Sequence, residues 1–290
     1  MKLQINKTIS NTIKRVFGSK IAIGIYCAVL FIVFLFAFVS KFDPIDDETI
    51  DGFASERYYN DCNVVGINLH GELYTYIPEY DSMGYYEDAV SSENILGSIR
   101  RANEDPEIEA IIVEVDSAGG SPVAGEEIAN AIANSEKPVI SFIREVGASA
   151  SYWAISSSDM IFASKNSNIG SIGVSASYLD DSQKNKMEGY HYEELTSGKY
   201  KDTGLSFRPL TEDERELYMR DVNIIYTNFI EAIATYRNLP IEHIQSIADG
   251  STVLGDKALE LVLIDAIGGI REVENHIENL IGDEIEICWE

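Results

Sequence analysis

Three short apolar runs limit what this chain can become: AIIVEV (Ala110–Val115), VISFI (Val139–Ile143) and MIFA (Met160–Ala163). Each is four to six residues long and bounded by turn formers, as expected of strands buried on both faces. NVVGINLHGEL (Asn63–Leu73) reads as a first strand with its turn, and SIGVSA (Ser171–Ala176) as a later one. Helical patterns fall between them. Ile95, Leu96, Ile99 and Ala102 mark one apolar face that ends at Asp105-Pro106, and Ala124–Asn134 makes a second helix stopped by Pro138. Strand–helix–strand alternation of this length predicts right-handed crossovers and a largely parallel sheet. The fold class is α/β.

The last third is helical. Thr211-Glu212-Asp213-Glu214 fits a capping box. Beyond it Tyr218, Val222, Ile225, Phe229, Ile233 and Tyr236 form an apolar stripe, read as core packing, that ends before Pro240. The 290 residues suffice for one large domain or two small ones.

Charge divides the chain. Residues 1–20 carry five basic groups and no acid, leaving 17 basic against 48 acidic residues in the remainder. A body so acidic excludes nucleic acid as a partner and disfavours flat docking on anionic lipid. At the boundary, Ile21–Val39 holds 19 uncharged residues, enough to cross a bilayer core of roughly 30 Å. A cleaved signal peptide would have a shorter apolar region and a better small-x-small site than Ala37-Phe38-Val39. The expected organisation is therefore a cytoplasmic basic tail (1–20), a transmembrane anchor (21–39), an acidic linker (40–60) and an extracytoplasmic domain (61–290). The tyrosine-rich segment that includes Tyr74, Tyr76, Tyr80, Tyr85 and Tyr86 reads as a surface loop. Cys62 and Cys288 are compatible with a disulfide in an oxidising compartment and equally with two unpaired small residues. No cofactor or metal motif is present: C-x-x-C and H-E-x-x-H are both missing from the sequence.

Three segments at strand ends could carry chemistry. In DSAGGSP (Asp116–Pro122), paired glycines let backbone N–H groups approach an anion. A plain tight turn explains the same residues. VGASASYWA (Val146–Ala154) approximates a G-x-S-x-G nucleophile turn, with Ser151 where the last glycine would stand. Ser149 there is either a nucleophile beside free helix N–H groups or simply a helix cap. TSGKYKD (Thr196–Asp202), a turn after the strand-like YHYEEL (Tyr190–Leu195), offers Lys199 and Lys201. A lysine serves a serine as base only when neutral. Its ordinary pKa of about 10.4 makes neutrality at pH 7 cost roughly 4–5 kcal/mol unless burial supplies the shift. Asp202 would have to point away.

Together these segments resemble the signal peptide peptidase A (SppA) family, membrane-anchored serine peptidases related to the Clp/crotonase fold of repeated β-β-α units. ASASYW is similar to the family's A-S-G-G-Y-Y, which implies Ser149 as nucleophile. SGKYKD is similar to S-G-x-x-K-D, which implies Lys201, not Lys199, as base. GSIGV (Gly170–Val174) implies Ser171 as the residue orienting that lysine. The glycine loop implies an oxyanion site from backbone groups at Gly119, Gly120 and Ala150. Ile247–Gly269 resembles the family's C-terminal signature, so the likeness runs from about Asn63 to Gly269. Two departures stand out: Ala150 and Ser151 replace family glycines, with the expectation that they narrow the pocket, and Ala118 replaces a proline.

The resemblance implies a Ser-Lys endopeptidase that degrades remnant signal peptides and other hydrophobic peptides at the membrane. It also implies a homo-oligomer whose dyad is shared between subunits, anchored in the lipid bilayer of the cell membrane. Three other readings stay open. One is a family peptidase acting on membrane proteins; another is a catalytically silent membrane scaffold. The third is a Ser-His-Asp esterase using His191, His243 or His276.

Overall fold

The computed structural model describes residues 62–77 and 88–290. The tail, the anchor, the whole linker and part of the tyrosine-rich segment lie outside the described residues. Among the described residues no helix is long and apolar enough to cross a membrane.

In chain order the elements are β1 (Val64–Tyr74), β2 (Ala89–Ser91), α1 (Ser92–Glu104), β3 (Ala110–Gly120), α2 (Pro122–Ala133), β4 (Val139–Ala148), α3 (Ala150–Ile155), β5 (Met160–Ala163), β6 (Asn168–Gly170), α4 (Ser182–Met187), α5 (Glu212–Tyr236), α6 (Ile241–Ile247), β7 (Thr252–Leu254), α7 (Gly255–Glu260), β8 (Ala266–Ile267), α8 (Ile270–Ile281) and β9 (Ile287–Trp289). The strand order is β2-β1-β3-β4-β5-β8, with every neighbour parallel. β4 is shared along its length: Ile140–Ile143 pair with β5, and Val146–Ala148 pair with β6. β6 also pairs antiparallel with β7. The α/β class, the largely parallel sheet and the helical C-terminal part are as the sequence predicts.

Both sheet faces are covered, for the reason the apolar runs gave. Ile111, Val113, Val115 and Ile143 face a large core built with α1, α2, α3 and the C-terminal half of α5. Ala110, Ile112, Ile140 and Phe142 face a smaller core closed by Val273 and Ile277 of α8. Beyond α8 that second face turns polar. There Glu114 sits 3.1 Å from both His70 Nε2 and an Arg144 guanidinium nitrogen.

Cys62, just ahead of β1, is joined by a disulfide to Cys288 of β9, their Cα atoms 5.8 Å apart. β9 pairs with Val64–Gly66, so the bond closes a loop of 226 residues at a sheet edge. Such a bond constrains the unfolded chain. The sequence left this pairing open.

The capping box forms as expected. Thr211 Oγ1 accepts the Glu214 N–H at 3.3 Å, and Glu214 accepts the Thr211 N–H at 2.9 Å. Arg208 donates to both oxygens of the same carboxylate at 2.8 Å, which holds the Glu214 carboxyl far below its usual range.

Two strand expectations are corrected. Ser171–Ala176 is not a strand. The strand is Asn168–Gly170 just before it, because Gly170 (φ 96°) and Ser171 (φ 49°) turn the chain out of the extended path. YHYEEL is not a strand either. Its Tyr192 ring stacks on Phe207 at 4.8 Å, a local use of the side chain that needs no neighbouring strand.

Candidate active site

Ser149 sits between the end of β4 and the start of α3 with φ 55° and ψ −128°. A non-glycine residue there carries strain of about 1–3 kcal/mol that its surroundings must hold. Here the Ser149 N–H donates to the Gly170 carbonyl at 2.7 Å, and the Ser149 carbonyl accepts from Trp153 N–H at 3.0 Å. Ser149 is the N-cap of α3, yet its side chain makes no capping hydrogen bond. The ordinary reason for a serine at this position is therefore missing.

Ser149 opens on a cavity of about 670 Å³. Gly120, Ala150 and Ser171 line it too, so four of the six residues singled out from the sequence meet there. Trp153, Val222, Ile225 and Phe229 supply apolar wall, with Trp153 and Phe229 stacked at 4.8 Å. Ala150 is the first residue of α3, and a helix's first N–H has no acceptor within the helix. Ser171 Oγ donates to the Gly250 carbonyl at 3.0 Å. Asp249, also in the wall, accepts from the Ser251 hydroxyl and N–H, which lowers its carboxyl pKa.

Gly119 acts through what it lacks. Its N–H donates to Ser117 Oγ at 3.1 Å. A Cβ on it would lie 2.8 Å from Ser149 Cβ and 3.0 Å from the Ala150 nitrogen. Its φ of 108° suits glycine as well.

Of the two residues in family glycine positions, Ser151 does not narrow the cavity as expected, since it is not part of the wall. Ser151 is fully buried, with its hydroxyl turned into the β3–β4 junction. Ala150 is 3% exposed and lines the cavity.

Lys201 is exposed and is not part of the cavity wall. Among the described residues no hydrogen bond joins it to Ser149, and no ion pair joins it to Asp202. Asp202 instead accepts a hydrogen bond from the Tyr192 hydroxyl, which pushes that phenol up to about 12. Lys199 forms an ion pair with Asp213, and that carboxylate pushes its ammonium up to about 12, the wrong direction for a base.

The histidines lie elsewhere. His70 faces Glu114, His243 Nε2 is 3.1 Å from the Leu261 carbonyl, and the His276 ring packs on Phe162. His191 is exposed, and no histidine lines the cavity.

Five residues contribute without a site role in the sequence reading. The stripe residues Val222, Ile225 and Phe229, whose spacing predicts core packing, also form the wall. Tyr226, off that stripe, joins them and anchors its hydroxyl on the Ala248 carbonyl at 2.8 Å. Ser117 offered no signal beyond its place before the glycines.

Known proteins fit this picture. Residues 131–282 match Peptidase family S49, a stretch that contains Ser149, Ser171 and Lys201. The chain is 28% identical over 240 residues to a Methanocaldococcus jannaschii protein, covering 81% of this chain and 74% of that one. It is 30% identical over 198 residues to Protease 4 of Haemophilus influenzae, covering 67% of this chain and 32% of that protein. It is also 30% identical over 185 residues to the chloroplastic serine protease SPPA of Arabidopsis thaliana, covering 63% of this chain and 27% of that protein. Among solved structures, a ClpP1 mutant from Listeria monocytogenes aligns over 71% of this chain and 92% of its own, at 13% identity and a TM-score of 0.47.

With these relatives the class is defined: the protein is a serine protease. The matched residues make up just over half of the chain, and the chain belongs to peptidase family S49. The resemblance to SppA peptidases drawn from its motifs is borne out.

Proposed function

We propose that the protein is a Ser-Lys endopeptidase that cleaves remnant signal peptides and other hydrophobic peptides at the membrane. The observation that carries this reading is Ser149 itself: strained, uncapped and opening on a cavity without a histidine.

In the proposed reaction Ser149 Oγ attacks the scissile carbonyl while its proton passes to Lys201 Nζ. Backbone N–H groups at Ala150 and Gly120 stabilise the oxyanion, while the Gly119 N–H stays on Ser117 Oγ. Collapse breaks the C–N bond, and Lys201 returns the proton to the leaving amine. Water then attacks the acyl-serine ester, releasing the acid and restoring the serine. The apolar wall of Trp153, Val222, Ile225 and Phe229 suits hydrophobic side chains.

Lys201 comes from a neighbouring subunit, oriented by Ser171, on a scaffold of the Clp/crotonase type. Two features support this. Lys201 stands in the open on its own chain, where a neighbouring subunit can reach it. Its segment also exposes Met187 and Leu195 at 82% and 87%, apolar surface that a neighbour would cover. Ile21–Val39 anchors the chain in the cell membrane, with the basic tail in the cytoplasm and the catalytic domain outside it.

A fluorophosphonate probe tests the reading on the full chain in detergent. The adduct, located by peptide mass mapping, is expected on Ser149 and is expected to vanish in Ser149→Ala. An adduct on another residue, or none, contradicts the assignment.

A further inference from the structure

The hydroxyl of Ser151 has a definite place in the structure. The β3–β4 ladder breaks between Val115 and Ser117: Val115 pairs with Ile143, and the next pair is Ser117 with Gly147. Two residues of β3 thus span four of β4, and backbone groups near the break lose their regular partners. Side chains take over. Val146 N–H donates to the Asp116 carboxylate at 3.2 Å. Ala148 N–H donates to Ser151 Oγ at 2.9 Å, and that hydroxyl lies 2.7 Å from the Ser117 and Ala148 carbonyls.

The linkage continues across the sheet. Ser117 Oγ donates to the Gly71 carbonyl at 2.6 Å and accepts the Gly119 N–H at 3.1 Å. Ala148 precedes the nucleophile, and Gly119 faces it. One buried chain of hydroxyls therefore fixes the backbone on both sides of Ser149.

Resting on the function proposed above, we propose that Ser151 is a positioning residue for that reaction. Its hydroxyl bridges the broken ladder and holds Ser149 in its strained conformation toward Ala150 N–H and Gly120. A glycine, as in the family pattern, leaves room for a water against the same backbone groups. An alanine methyl partly fills the space and satisfies neither Ala148 N–H nor the Ser117 carbonyl, and buried polar groups left unpaired are costly.

This gives a ranking opposite to helix preference. Ser151 is the second residue of α3, where intrinsic propensity places Ala above Gly. For the bridge, Gly must outperform Ala.

The test uses the full-length enzyme in detergent, with kcat and KM on a fluorogenic hydrophobic peptide, the rate of fluorophosphonate labelling and the melting temperature. Ser151→Ala is expected to lower kcat and labelling rate about 10-fold, since small misplacements of reacting groups cost that much or more. KM should stay within about two-fold, because no substrate contact is removed. Ser151→Gly is expected to lose only about three-fold. Wild-type kcat in Ser151→Ala, or Ala outperforming Gly, overturns the proposal. If Ser151→Ala does not fold, Ser151→Gly decides: lowered kcat at unchanged KM supports the bridge, and wild-type kcat overturns it. Wild-type enzyme that is not labelled at Ser149 overturns the proposed function itself, a separate result from a labelled enzyme indifferent to position 151.

Discussion

Replacing Lys201 by alanine is expected to reduce peptide hydrolysis about 10³-fold or more, while each of the four histidine-to-alanine variants keeps near-wild-type rates. The expectation follows from where the titratable groups lie. Every histidine is engaged or exposed away from the cavity. Lys199 is held protonated by Asp213, so Lys199→Ala should also be mild. Lys201, by contrast, has neither an ion pair among the described residues nor a place in its own chain's cavity. Loss of activity in a histidine variant, with Lys201→Ala active, would return the site to a Ser-His mechanism.

Gly119→Ala is expected to be nearly as damaging, about 10²-fold in kcat/KM. Two effects act together. The residue's φ of 108° disfavours any side chain. Its added Cβ would press on Ser149 Cβ at 2.8 Å, with the Ala150 nitrogen and Ala148 carbonyl at 3.0 Å. None of these three is the free end of a flexible side chain, so the nucleophile or its oxyanion donor must move. Gly282→Ala is the control: its φ is also positive, at 83°, but nothing lies within 4 Å of the added carbon. It should cost some stability and leave hydrolysis unchanged. A Gly119→Ala enzyme with normal kcat/KM would mean that Ser149 is not where the chemistry occurs.

Burial on both faces explains how much of the fold the sequence discloses. Ala110–Val115 and Val139–Ile143 are largely apolar, broken only by Glu114 and Ser141, because two cores claim alternate side chains. The same logic conceals the functional ends of these strands. β3 runs on to Gly120 and β4 to Ala148 through small and polar residues that read as turns. Ser171–Ala176 misleads in the opposite way: Ile172, Val174 and Ala176 alternate like a strand, and the positive φ at Ser171 leaves no trace in composition.

In the site, the resemblance to the family's motifs singles out Ser149, Gly120, Ala150 and Ser171, which the chain folds into one cavity. It gives no role to Ser117 or Tyr226 and marks Ser151 only as a replaced glycine, because their places depend on a ladder break and a helix face that exist only in three dimensions. The disulfide is similar, since Cys62 and Cys288 become neighbours only when β9 joins the edge of β1.

The most direct test of a dyad shared between subunits mixes two inactive proteins. Ser149→Ala retains Lys201, and Lys201→Ala retains Ser149. After subunit exchange at equal amounts, a site needs its serine from one variant and its lysine from the other. Random assembly through a head-to-tail interface then makes about one site in four complete. The expected result is recovery of about a quarter of wild-type hydrolysis, with the fluorophosphonate adduct on the Lys201→Ala chains. No recovery, despite exchange shown by differently tagged chains copurifying, would contradict the shared dyad.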